Sequence, residues 1–143
     1  MDDLLRQIPG FSLLRRTSSV AAHPTSQGVS LRGVGANGAS RTLVMTDGIP
    51  LNDPFGSWVY WNRVPKYAIE SIEVVRGGAS ELYGSSALGG VVHLRTRRPE
   101  PHTLAGELLY GERGEIQGSI YASDVFRNWG YALAIASYFP AQK

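Results

Sequence analysis

The first segment with the spacing of a known chemical site is rich in glycine. Gly33, Gly35 and Gly38 form the pattern G-x-G-x-x-G after a short predicted strand at residues 29–32. A dinucleotide site needs a helix directly after these glycines, because the helix N-terminus faces the pyrophosphate. Residues 42–46 instead form an apolar, β-branched run that predicts a strand. The pattern therefore predicts a glycine-rich loop and argues against nucleotide binding.

A second segment resembles the strand-to-helix elbow that carries the nucleophile of serine hydrolases. Residues 84–89 fail the G-x-S-x-G pattern, because Leu88 stands where a glycine is required. The three histidines, His23, His93 and His102, lack the close spacing of metal ligands. His93 lies on a predicted strand, which favours a structural role. We therefore predict no enzyme activity, no cofactor and no metal site.

The charged residues also have simpler explanations than catalysis. Asp47 and Asp53 flank a predicted turn, where aspartate is common as a turn former. A carboxylate pair for acid–base chemistry stays open as the alternative. Arg95, Arg97 and Arg98 form a small basic run that we interpret as a solvated strand end. Nucleic-acid binding needs a wider basic surface than a chain of net charge +2 offers here.

The composition indicates a turn-rich protein with much β structure. Charged residues make up 18% of the 143 residues, below the roughly 25% of average soluble proteins. Glycine accounts for 17 of the 143 residues, a larger share than the average usage of about 7%. The absence of cysteine excludes disulfides, thiolate zinc sites and cysteine nucleophiles.

Short strands alternate with loops in the first hundred residues. Apolar and β-branched runs predict strands at residues 29–32, 42–46, 69–76 and 91–97. Short helices are expected at residues 3–8 and 79–83, with a short apolar run at 11–14. Polar, glycine-rich or aromatic loops are expected at residues 17–27, 33–40 and 51–65.

After Pro99 and Pro101 the pattern changes to longer alternating runs. Strands are predicted at residues 104–110, 115–123 and 131–139, with apolar residues alternating with polar or small ones. Aromatic residues lie near the ends of these runs. Such segments are typical of outer-membrane β-barrels, although a soluble antiparallel meander would show the same alternation.

Read together, several blocks resemble the plug domain of TonB-dependent outer-membrane receptors. The blocks are residues 4–10, 27–33, 41–53 and 69–94, and they occur in the order that the family has. Gly78 and His93 depart from the family pattern, which commonly has proline and asparagine there. The resemblance implies an α+β plug with a small mixed sheet and short helices at residues 1–98. A linker at 99–103 and the first antiparallel strands of an incomplete 22-stranded barrel at 104–143 are expected to follow.

The resemblance also implies roles for particular residues. Arg32 and Arg76 match the plug half of a charge cluster with barrel glutamates, which would lock the plug in the barrel. Asn37, Trp58 and Tyr60 lie in two loops that match the outward apices of the family, and are our ligand-binding candidates. The alternative is that Trp58 and Trp61 pack the plug against the barrel wall.

The expected function is energy-coupled nutrient uptake across the cell outer membrane. Siderophore-bound iron, cobalamin or an oligosaccharide is the expected ligand, and TonB and outer-membrane lipid are the expected partners. The N-terminus shows no export signal and no TonB box, so we expect a truncated chain. The alternative is a soluble periplasmic module that binds or interacts without transport.

Overall fold

A computed structural model describes residue 5 and residues 7–14, 27–31, 41–111 and 114–139, with the backbone alone for Leu14 and Asn62. The chain divides into two compact units. The first comprises residues 1–63 and 71–95, and the second comprises residues 64–70 and 96–143. Among the described residues, no helix has both the length and the apolar character needed to cross a membrane.

A two-stranded sheet opens the first unit. β1 (Phe11–Leu14) pairs antiparallel with β2 (Gly28–Leu31), and Phe11 lies opposite Leu31. Phe11, Val29 and Leu31 are buried, as is Leu5 in helical conformation before β1. The apolar run at 11–14 is therefore a strand. Its backbone pairs with β2, and in this arrangement the Phe11 side chain is buried.

A four-stranded mixed sheet forms the centre of the first unit. Its strands are β3 (Thr42–Thr46), β4 (Ile49–Pro50), β5 (Ile69–Arg76) and β6 (Gly90–Thr96), in the order β4-β3-β6-β5. The two inner strands, β3 and β6, run parallel and are mostly buried. Near-continuous apolar runs are expected in such strands, because both faces are covered.

Two places in this sheet need unusual backbone angles. Asp47 and Gly48 link β3 to β4 with φ values of 47° and 84°. Gly90 begins β6 with φ 132°, and a Cβ there would overlap the carbonyl oxygen of Val75. Glycine permits both the angle and the close approach of β5.

A three-stranded antiparallel sheet dominates the second unit. β7 (Thr103–Tyr110), β8 (Ile116–Phe126) and β9 (Trp129–Phe139) follow one another in sequence and in space. The 3-10 helix Lys66–Ala68 contacts β8.

The two faces of this sheet differ in character. Directly opposite residues share a face, so the register places one set of large apolar side chains together. This apolar face contains Leu104, Leu108, Ile120, Leu133 and Ile135, each more than half exposed. The other face contains Ser119, Tyr121, Ala132, Ala134 and Ala136, and of these Tyr121 is buried.

The predicted fold class is confirmed. The strands at residues 42–46 and 69–76 have the predicted bounds, and β6 begins and ends one residue earlier than expected. The predicted helical turn is the helix Ser80–Tyr83. The segment that resembled a nucleophile elbow contains the 3-10 helix Ser85–Ala87. The predicted loop at 33–40, all but the last residue of the predicted loop at 17–27, and half of the predicted helix at 3–8 lie outside the described residues.

Candidate functional site

The loop after β4 contains two of the proposed ligand-binding residues, and Asn52 holds its two ends together. The Asn52 side-chain oxygen accepts a hydrogen bond from the buried Val44 N–H at 2.6 Å. Its amide donates to the carbonyl oxygens of Thr42 at 3.1 Å and Ser57 at 3.3 Å. Asn52 also forms an isolated bridge with Val59. One amide therefore ties the loop to the central strand β3.

Asp53 fixes the tip of this loop. Its Oδ1 accepts hydrogen bonds from the N–H groups of Phe55 and Gly56, both at 2.9 Å. Its Oδ2 accepts a hydrogen bond from the Tyr60 hydroxyl at 3.3 Å. The Gly56 N–H is the largest cause that lowers the Asp53 pKa; burial opposes it, and Phe55, Tyr60 and the Arg63 charge lower the pKa further. This carboxylate is a turn former, as predicted from its position.

Trp58 is positioned by the absence of a side chain at Gly56. A Cβ on Gly56 would overlap the six-membered ring of Trp58. Ser57 between them has φ 55°, in the left-handed region. The indole therefore lies against the backbone of its own loop, and its buried Nε1 has no hydrogen-bond partner among the described residues.

Tyr60 links the acidic and basic residues of the loop. Its hydroxyl donates to Asp53, and the Arg63 guanidinium carbon lies 4.2 Å from the centre of its ring. A cation over an aromatic face is attracted by the ring quadrupole. Tyr60 is therefore engaged at its hydroxyl and on one ring face.

The remaining aromatic residues of the loop have opposite environments. Phe55 is 97% exposed at the tip, whereas Trp61 is 2% exposed. Trp61 is already buried among the residues of this chain, which leaves little of it to pack against a barrel wall. Phe55 is not among the ligand-binding residues predicted from the sequence. The sequence does contain a signal for the exposure of Phe55, which is an apolar ring between a proline and a glycine in a turn.

Of the other proposed site residues, the structure describes Arg76 alone. Arg32 and Asn37 lie outside the described residues. Arg76 is the exposed last residue of β5. Its guanidinium has no ion-pair partner within the described part of the chain. The structure thus brings Trp58 and Tyr60 into one loop and places Arg76 at a strand end elsewhere in the same unit.

A small charged cluster lies on β5 and β6. Arg95 Nε donates to Glu73 Oε1 at 2.8 Å, and His93 Nδ1 lies 3.9 Å from Glu73 Oε2. His93 Nε2 is buried and has no hydrogen-bond partner within the part of the chain that the structure describes. No group of three or more histidine, aspartate and glutamate side chains among the described residues could hold a metal ion. This cluster is a cross-strand charge pair beside a histidine.

Comparison with known proteins identifies the fold and the family. The model of the TonB-dependent receptor plug domain matches residues 1–91. The vitamin B12 transporter BtuB of Vibrio vulnificus is 31% identical over 135 residues, which cover 87% of this chain and 21% of that protein. The probable TonB-dependent siderophore receptor PirA of Acinetobacter baumannii is 33% identical over 125 residues, 80% of this chain and 16% of that protein.

Solved structures agree in fold. The ferric yersiniabactin uptake receptor FyuA from Yersinia pestis has a TM-score of 0.62 at 24% identity, covering 89% of this chain and 19% of that one. A mutant of the ferric enterobactin receptor PfeA from Pseudomonas aeruginosa, in complex with enterobactin, has a TM-score of 0.61 at 24% identity, covering 94% and 21%. This chain thus spans about a fifth of these relatives. With a family model that matches most of its length, the chain belongs to the TonB-dependent receptor plug domain family.

Proposed function

We propose that the chain is the plug portion of an outer-membrane receptor that takes up a scarce nutrient with energy from TonB. The observation that carries this proposal is the plug-family match over residues 1–91. β7, β8 and β9 are then the first strands of the surrounding barrel. Their exposed apolar face supports this assignment, since lipid-facing and lumen-facing residues alternate along such strands.

The ligand class is the finer part of the proposal. The relatives include a vitamin B12 transporter and a siderophore receptor, so iron-siderophore and cobalamin are the first ligands to test, with oligosaccharide as the third. We place the ligand at the loop that carries Trp58 and Tyr60, together with Asn37. Phe55 joins them, because its exposed ring has no partner in the described chain. Exposed aromatic rings can stack on flat or sugar-like ligands.

The lock between plug and barrel is a second part. We propose that Arg32 and Arg76 pair with carboxylates on the barrel wall. The exposed Arg76 guanidinium, which has no ion-pair partner among the described residues, supports this. Arg76→Lys tests the pairing in the full-length receptor, because lysine keeps the charge and loses the two-pronged geometry. We expect an altered uptake rate with unchanged ligand affinity.

The proposed function is tested by uptake into cells that express the full-length receptor, with and without TonB. Radiolabelled ferric siderophore, cobalamin and oligosaccharide are supplied separately. We expect uptake of one of them, abolished when TonB is deleted. Equal uptake in both strains, or none of any ligand class, would contradict the proposal.

The ligand site is tested in the same receptor by a double variant, Trp58→Ala with Tyr60→Ala. Phe55→Ala is a separate variant, because its exposed ring makes no packing contribution. Arg127→Ala, in the exposed turn between β8 and β9, is the control. We expect the loop variants to weaken ligand binding about tenfold or more. Stacking of a flat ring, such as a nucleic acid base, on an aromatic side chain is worth about 1–3 kcal/mol. Unchanged affinity in all variants would remove these residues from the site.

A further inference from the structure

The six residues that join β6 to β7 lie in the second unit and contact other residues of it. We call residues 97–102 the strap. At its start, Arg97 N–H donates to the Ala68 carbonyl oxygen at 2.7 Å. The Arg97 guanidinium carbon lies 5.8 Å from the centre of the Tyr121 ring on β8. The strap is therefore attached before β7 begins.

The middle of the strap is seated on both β8 and β9. The Ser123 hydroxyl accepts a hydrogen bond from Glu100 N–H at 3.1 Å and donates to the Glu100 carbonyl oxygen at 3.0 Å. Ser123 itself is buried. On β9, Gly130 leaves space for Pro99: a Cβ there would lie 3.0 Å and 3.1 Å from the Pro99 Cβ and Cγ. The Ser123 hydroxyl is thus hydrogen-bonded to both the N–H and the carbonyl group of Glu100.

The end of the strap is fixed by a carboxylate. Asp124 Oδ1 accepts hydrogen bonds from His102 N–H at 3.2 Å and Val125 N–H at 2.7 Å. His102 Nδ1 lies 3.4 Å from Asp124 Oδ2. The neighbouring Thr103 is the first residue of β7 and pairs with Ser123 in the ladder. Two successive residues of β8 therefore hold the strap and the first ladder pair together.

From these contacts we infer that the strap is a mechanical stop, which ends the unfolding of the plug before it reaches β7. A load on the N-terminal side of the chain passes through the strap before it reaches β7. There it is divided among contacts to β8 and β9, which are joined to each other by eleven register pairs. The inference rests on the proposed function only for the origin of the load, which would be the energy supplied by TonB.

The stop is tested by stretching the 143-residue chain in detergent micelles at constant force. The sequence contains no cysteine, so Asn128→Cys, in the turn between β8 and β9, gives a single attachment point opposite an N-terminal handle. We expect a long-lived intermediate in which the chain is extended up to the strap, identified from about 3.3–3.6 Å of extension per released residue. Ser123→Ala should shorten the lifetime of this intermediate about tenfold, because two hydrogen bonds are lost.

Gly130→Ala tests the same stop from β9, where the added Cβ crowds Pro99 without touching Ser123. The matched controls are Ser119→Ala, on the same strand as Ser123, and Gly118→Ala, whose Cβ would meet only Leu108 Cδ1 at 3.7 Å. Hydrogen exchange of the β8 and β9 amides identifies any variant that fails to fold. If Ser123→Ala or Gly130→Ala fails to fold, the lifetime of the intermediate in the other variant decides. Equal lifetimes in wild type and Ser123→Ala or Gly130→Ala, or equal shortening in the controls, would overturn the stop. The assay contains neither TonB nor ligand, so the uptake experiment stands or falls separately.

Discussion

At the scale of single residues, Asn52 is the residue that ties the aromatic loop to the central sheet. Its amide satisfies the N–H of Val44, which is fully buried, and two carbonyl groups on either side of the loop. A buried polar group that loses its partner costs more than the bond itself contributes. The position of Trp58 therefore depends on an amide at the start of its loop.

Asn52→Ala is expected to destabilise the first unit by about 1–3 kcal/mol, because the buried Val44 N–H loses its acceptor. Chemical denaturation measures the loss, and hydrogen exchange at the Val44 amide locates it. Asn128→Ala, in the exposed turn between β8 and β9, is the control and should change little. An unaltered denaturation midpoint in Asn52→Ala would show that the amide is replaceable.

Asp53 makes the loop sensitive to acid. Its pKa is lowered below the ordinary 3.8, first by the Gly56 N–H and then by Phe55, Tyr60 and Arg63. Because the folded pKa is the lower one, the ionised carboxylate contributes stability above the unfolded pKa. That contribution is lost as pH falls below 3.8 through the folded pKa.

A carbon-detected NMR titration of the Asp53 carboxyl should therefore give a midpoint below 3.8. The loop should lose order over the same range, and Asp53→Asn should remove this step from the pH dependence of stability. A midpoint at or above the ordinary value would mean that the hydrogen bonds to Gly56 and Phe55 do not persist in solution.

The loop shows what sequence alone could predict at this scale. Asp53 was predicted as a turn former from its position, and it has that role. The different exposures of Phe55 and Trp61 could not be predicted, because both are apolar rings in one irregular loop without periodicity. The contact of Arg63 with Tyr60 depends on the 3-10 helix Trp61–Arg63, which turns the chain back on itself.

At the scale of elements, the central sheet depends on the close approach of β5 to the start of β6. A Cβ on Gly90 would overlap the Val75 carbonyl oxygen and lie 2.9 Å from Leu31 Cδ1. Its φ of 132° is also one that side chains with a Cβ rarely adopt. Steric overlap and backbone strain therefore act together at this position.

Gly90→Ala is expected to destabilise the first unit by several kcal/mol, in the range of exceptional point mutations. Circular dichroism and chemical denaturation measure this. Gly78→Ala is the matched control, because its Cβ would meet only the Leu88 carbonyl oxygen, at 3.9 Å. Similar stability of the two variants would contradict the role assigned to Gly90.

Element bounds were predictable where apolar runs end at turn residues, as for β3 before Asp47 and Gly48. The pairing of the strands was less predictable than their bounds. That β3 runs parallel to β6, with Thr42 opposite Gly90, could not be predicted, because a long segment separates the two strands. β8 continues to Phe126, beyond the predicted residue 123, because it pairs with β9 as far as Trp129.

At the scale of the whole molecule, the second unit exposes an amount of apolar surface that water disfavours. The apolar face of its sheet carries five aliphatic side chains that are each more than half exposed, whereas most of the residues on the opposite face are small or polar. Large exposed apolar patches mark interaction or membrane surfaces. The alternation alone left a soluble meander open, and the exposure of these side chains favours lipid as their surroundings.

This gives a test with two adjacent positions on β9. Ile135 lies on the apolar face and Ala136 on the opposite one, and both are exposed. Ile135→Lys should weaken partition of the chain into lipid vesicles by about 2–4 kcal/mol, the cost of lysine on the lipid side of a barrel strand. Ala136→Lys adds the same charge one residue along the strand and should change partition little. Vesicle flotation measures both, and equal loss in the two variants would mean that the apolar face does not contact lipid.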